Sequence, residues 1–112
     1  MSARIETWLW LVQRGAAIIL ALAVLVHLAT IIYAVHEGLS AAAILARTEG
    51  NTAWLAFYCV FAAAAALHGG IGLRTVVREA TPWHGPTLDA ATAAFVLLLA
   101  LTGWRAAAAL FA

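Results

Sequence analysis

Residues 62–79 read Ala62-Ala63-Ala64-Ala65-Ala66-Leu67-His68-Gly69-Gly70-Ile71-Gly72-Leu73-Arg74-Thr75-Val76-Val77-Arg78-Glu79. The stretch begins as hydrocarbon, carries one imidazole, thins to glycine and ends in charge. At about 100° per residue, a helix puts Ala64, His68, Gly72, Thr75 and Glu79 on one stripe. An imidazole, a gap one turn on and a carboxylate near the exit then share a face. The rest of the chain reads as a scaffold that holds this stripe at membrane depth.

Composition supports that scaffold. The 112 residues are 66% hydrophobic and only 10% charged, against about 25% charged for an ordinary soluble domain. A core of this size cannot hide so much apolar surface from water. A net charge of +1 gives no basic patch for phosphates, which argues against nucleic acid as a partner. A single cysteine, Cys59, lies in an apolar run and reads as a small buried hydrophobe. The start is not a cleavable signal, because Glu6 precedes an apolar run too long for one.

Outward from the central stretch, an all-α chain with three transmembrane helices is predicted, at about 8–36, 53–78 and 88–111. Residues 1–14 read as interfacial, with Trp8 and Trp10 at the aromatic belt and Arg4 and Arg14 at headgroup level. Gly15 to Val35 is apolar except for His27 and Thr30, about 31 Å of helix and so one hydrocarbon thickness. Residues 37–52 form a connection whose centre, Ala41 to Ala46, reads as a short surface helix. Pro82, Gly85 and Pro86 force a turn after Ala80, and Asp89 suits the positive end of the third helix. Arg105 can snorkel to the interface beside Trp104. The whole of 1–112 is one domain. Arg4, Arg14, Arg74 and Arg78 fall on one side and Arg47 and Arg105 on the other, so the N-terminus is predicted to be cytoplasmic.

Ionisable groups inside a span are costly and therefore candidates for function. His68 lies about 9 Å from Arg74 along its helix, and His27 about 20 Å from Arg14 along the first. The two imidazoles therefore sit at different levels and are poorly placed to clamp one iron between them within a single chain. Each could hydrogen-bond a neighbouring helix. For His68 the surrounding glycines have two readings, close packing of small-xxx-small type or clearance for a porphyrin with His68 as axial ligand. The first-helix stripe Ala16, Leu20, Ala23, His27, Thr30, Ala34 gives His27 a similar setting. His36 and His84 lie at boundaries and read as solvated. Arg14 reads either as an interface anchor or as a charged donor to an incoming polar headgroup, and Glu79 as solvated unless a proton is delivered there.

The run His68-Gly69-Gly70-Ile71-Gly72-Leu73-Arg74 with Glu79 after it resembles the second-helix signature of the membrane-anchor cytochrome b subunits of succinate dehydrogenase and fumarate reductase, respiratory complex II. Gln13-Arg14-Gly15-Ala16-Ala17 is similar to the family's first-helix start, where an arginine helps form the quinone site. Trp10 and Gln13 stand where many larger anchor subunits have serine and histidine, and Ala80 where smaller ones have tyrosine. The resemblance implies a non-catalytic subunit that carries electrons in the tricarboxylic acid cycle or its reverse. Its implied cofactor is haem b, with His68 as an axial ligand and Gly72 packing against the ring. In the two-haem branch of the family, His27 would hold a second haem iron. Arg14 would contact quinone or a haem propionate, Arg74 a propionate or quinone, and Glu79 would lie on the quinone proton path. Implied partners are a flavoprotein and an iron–sulfur subunit on the cytoplasmic face, and a second anchor chain, identical or different, completing the haem-binding bundle among membrane lipid. The implied location is the bacterial inner membrane. Two rivals remain at this stage: a haem b anchor of another quinone-linked oxidoreductase, and a non-redox small transporter or assembly protein. No mid-span carboxylate exists to favour a transporter.

Overall fold

The computed structural model describes residues 2–112, so Met1 of the interfacial segment lies outside the described residues. Four helices follow in order: α1 (Ala3–Glu37), α2 (Ala41–Thr48), α3 (Thr52–Ala80) and α4 (Pro86–Phe111). No strand occurs among the described residues. α1, α3 and α4 are each long and apolar enough to cross a membrane. α3 packs against both α1 and α4 as the middle element, and the short α2 rests on α4.

Local chemistry sets the ends. Ser2 Oγ accepts from Ile5 N at the start of α1, and Ser40 Oγ from Ala43 N at the start of α2. Asn51 Oδ1 accepts from both Ala53 N and Trp54 N at the start of α3. Each fills an otherwise orphaned donor of a first turn. α1 stops at Gly38, whose φ of 132° is a conformation that a side chain strongly disfavours. α4 starts with Pro86 in its first turn, where the missing N–H costs nothing.

α1 is longer than the sequence reading placed it. Ser2 supplies a cap and the Trp8–Trp10 region gives no reason to break, so the interfacial segment and the span form one helix of about 52 Å. The predicted surface helix appears as α2, two residues longer than expected. On α1 the side chains withdrawn from the surface are Glu6, Leu9, Gln13, Ala16, Leu20, Ala23, His27, Thr30 and Ala34, with Ala17 beside them. Their spacing alternates three and four, a repeat that suits helices crossing at about 20°. The proposed first-helix stripe is thus the seam against α3.

The buried apolar side chains are Ala16, Ala23, Ala34, Ala64, Ala66, Ile71, Leu88 and Ala107. Backbones approach closely, and the large side chains turn outward: Leu25 is 64% exposed and Leu97 69%. In water such a surface would aggregate; in a bilayer it faces acyl chains or other subunits.

Gly69 and Gly70 serve this close approach. A Cβ on Gly69 would touch Leu99 Cδ1, and one on Gly70 would strike Val96 Cγ2, both on α4. On the other side of that seam, a Cβ on Gly103 would stand 2.5 Å from Ala62 Cβ. Val96 can rotate away, but a Cβ rooted on the Ala62 backbone cannot. Gly103→Ala is therefore expected to cost more than Gly70→Ala, about 1–3 kcal/mol. Thermal unfolding of the two variants in the same detergent checks the order; equal midpoints would contradict it.

Candidate functional site

The end where α1 begins and α3 finishes is tied by an ion-pair cluster. Arg74, 5% exposed, gives Nη2 to Glu6 Oε1 at 2.9 Å and Nε to Asp89 Oδ1 at 2.9 Å. Arg78 gives Nη1 to the other oxygen of Glu6 at 3.0 Å. One guanidinium thus joins α1, α3 and α4 through charge-assisted bonds. The sequence reading sent Arg74 toward a propionate or quinone. The structure engages it with two carboxylates, because Glu6 lies on the α1 seam and Asp89 opens α4 beside the end of α3. The cluster also places Arg74 and Arg78 at the same end of the bundle as Arg4 and Arg14, as the charge pattern required.

Deeper in the α1–α3 seam lies a group of unsatisfied polar atoms. Gln13 Oε1 and His68 Nδ1 are buried without a hydrogen-bond partner, as is His27 Nδ1 further along. A Cβ on Gly72 would come within 3.2 Å of Gln13 Nε2. The gap that the sequence left beside His68 is therefore lined by the Gln13 amide, and Gly69 and Gly70 belong to the other seam. Ala64, His68 and Gly72 of the predicted stripe are at least half-buried, whereas Thr75 and Glu79 are exposed. Gln13 carried no functional weight in the sequence; its place on the same three–four repeat as His27 was the available signal.

His27 lies with its ring edge-on to Phe61, centroids 5.3 Å apart, and to Tyr58 at 5.9 Å. Since Gln13 meets Gly72 and His27 meets Tyr58 and Phe61, the antiparallel register separates the two histidines by about 10–15 Å along the bundle. They occupy different levels. His27 borders two neighbouring clefts, one of about 790 Å³ with Thr30, Tyr33, Arg47 and Trp54, and one of about 500 Å³ with Ala62, Ala66, Leu99 and Thr102.

The remaining candidates sit at the surface. Arg14 is exposed, with its guanidinium carbon 5.5 Å from the Trp10 ring centroid. His36 and His84 pair locally, through Nδ1, with the carbonyls of Ile32 and Pro82. Cys59 is half-buried and unpaired. No cluster of three or more His, Cys, Asp or Glu that could hold a metal ion occurs among the described residues.

An apolar three-span bundle with an ion-pair knot at one end and unsatisfied imidazoles at two depths defines a multi-pass membrane subunit built around polar groups in its seams. The model of the family described as succinate dehydrogenase/fumarate reductase transmembrane subunit matches residues 1–108, and the chain belongs to that family. It is a membrane-anchor subunit of that complex, which implies partner subunits. Comparisons with curated proteins and with solved structures returned no match.

Proposed function

We propose that this anchor subunit binds haem b through His68 and helps form the site at which the complex exchanges electrons with a membrane quinone. The observation that carries the reading is a His68 imidazole, half-buried within a candidate membrane span, whose ring makes no hydrogen bond to the protein. An imidazole uncommitted to protein is the donor that a b-type iron takes, and leaving it unsatisfied costs stability. When bound, haem supplies a one-electron relay. Since His27 is at another level, a second ligand to that iron would have to come from another chain, either a different anchor subunit or a second copy. In the two-haem form, His27 would hold the second iron; its ring likewise makes no hydrogen bond to the protein.

At the quinone site, Arg14 is the charged donor at the headgroup level, and Gln13 offers an amide one position away inside the seam. Arg74 acts there by holding α1 and α3 together around the site, and the exposed Glu79 can pass protons to the aqueous side. A flavoprotein and an iron–sulfur subunit dock at the arginine-rich end, which this reading makes cytoplasmic in a bacterial inner membrane. The test is to purify the complex through this chain and add succinate. Copurified flavin and iron–sulfur subunits with a b-type spectrum that succinate reduces fit the proposal. A b-type spectrum that answers only another donor points to a different quinone-linked enzyme, and no haem at all refutes it.

A further inference from the structure

In the one-haem form of the proposed function, on which this inference rests, the larger cleft, at the end of the bundle opposite the ion-pair knot, is taken neither by haem at His68 nor by a quinone near Arg14. Arg47 of α2 lines it, half-buried. Its Nη2 donates to the Gly38 carbonyl at 3.2 Å, and its guanidinium carbon lies 5.5 Å from the Tyr33 ring centroid. No carboxylate lies within ion-pair distance of it among the described residues. The cation is thus held in place with donors left over and without a counter-ion.

Below Arg47 the cleft is apolar and runs along α1 from Tyr33 to Val26 and His27. From the end of α1 at Glu37 to Val26 is about 16 Å, or half of a hydrocarbon core about 30 Å thick. Trp54 and Tyr58 wall its α3 side, the residue types that sit where headgroup meets chain. A fixed cation over an apolar slot one leaflet deep matches an amphiphile with an anionic head. A free phosphate would gain nothing from the slot, and an uncharged lipid nothing from Arg47.

We propose that this cleft binds one phospholipid of the leaflet on the α2 side, its phosphate paired with Arg47 and an acyl chain lying along α1 as far as His27. The site is independent of the haem at His68.

Native mass spectrometry of the intact complex, in a phosphate-free detergent and with stepwise addition of phosphatidylglycerol, tests it. One tightly held lipid per copy of this chain is expected. Arg47→Gln should weaken that lipid about tenfold and Arg47→Lys far less. Because Arg47 also braces Gly38, a second variant, Ala29→Trp, fills the slot without touching the cation. It should exclude the lipid and leave the b-type spectrum unchanged. Unaltered lipid retention in both Arg47→Gln and Ala29→Trp would overturn the proposal, as would inorganic phosphate competing as well as lipid. A second haem lost in His27→Ala together with Arg47→Gln would assign the cleft to a porphyrin and also overturn it, without touching the reading of His68.

Discussion

The His68→Ala variant of the complex is expected to lose the b-type absorption of the haem while the flavoprotein and iron–sulfur subunits still copurify. Ligation of iron by imidazole is a bond that no neighbouring group on α3 can replace, since Ala64 and Gly72 flank it one turn either way. The haem-free bundle should lose little stability, because the imidazole makes no protein hydrogen bond and its removal also removes an orphaned Nδ1; the stabilisation that bound haem adds is lost with it. The companion variant His27→Ala divides the one-haem from the two-haem form: the first keeps the full spectrum and the second loses half of it. His27→Ala should itself cost about 1 kcal/mol through lost aromatic edge contacts with Phe61 and Tyr58, so haem must be counted per assembled complex. An unchanged spectrum in His68→Ala would refute the assignment of the ligand.

The second large effect is expected at Arg74. Arg74→Met leaves Asp89 without its partner and Glu6 with only the exposed Arg78. Removing one member of a fully buried ion pair costs about 3–5 kcal/mol. Here the carboxylates are 35% and 32% exposed, and solvent screening reduces the expected loss to about 2 kcal/mol. In a domain of this size that corresponds to a midpoint lower by roughly 10 °C. Asp89→Asn should cost less, because Arg74 keeps Glu6 and Asp89 is a first-turn residue whose charge the helix dipole already favours. Glu6→Gln should fall between, since two arginines lose their bridge. A double-mutant cycle between Glu6 and Arg74 isolates the pair. Coupling near zero would show that the ion pairs do not hold α1 to α3. If Arg74 positions α1 at the quinone site, Arg74→Met should also raise KM for quinone before it lowers kcat.

These two residues show how differently sequence information was distributed. His68 stood out because an imidazole within an apolar run is unusual at its own position, whatever the rest of the chain does. Glu6 is 68 positions from Arg74, and nothing local announced their meeting. The glycines lie between these cases. Their close-packing role was one of two readings open from the sequence, but which helix each faces depends on angular phase around α3. Gly69 and Gly70 face α4 and Gly72 faces α1; at about 100° per residue Gly72 lies roughly 60° from Gly69 and roughly 160° from Gly70, angles that a helical wheel gives without saying which neighbour lies at each.

The sequence by itself determined the three spans, the short surface helix, the turn at Pro82–Pro86, the side on which the arginines gather and the unequal depths of His27 and His68. All of these follow from hydrophobic run lengths, capping residues and a fixed rise per residue, which are properties of the chain taken locally. Tertiary structure alone decided that Arg74 binds Glu6 and Asp89, that Gln13 lines the gap beside His68, and that Arg47 and His27 line one cleft. Those facts depend on how far each helix is rotated toward its neighbours, and that rotation is set by the close packing of small residues across two seams at once.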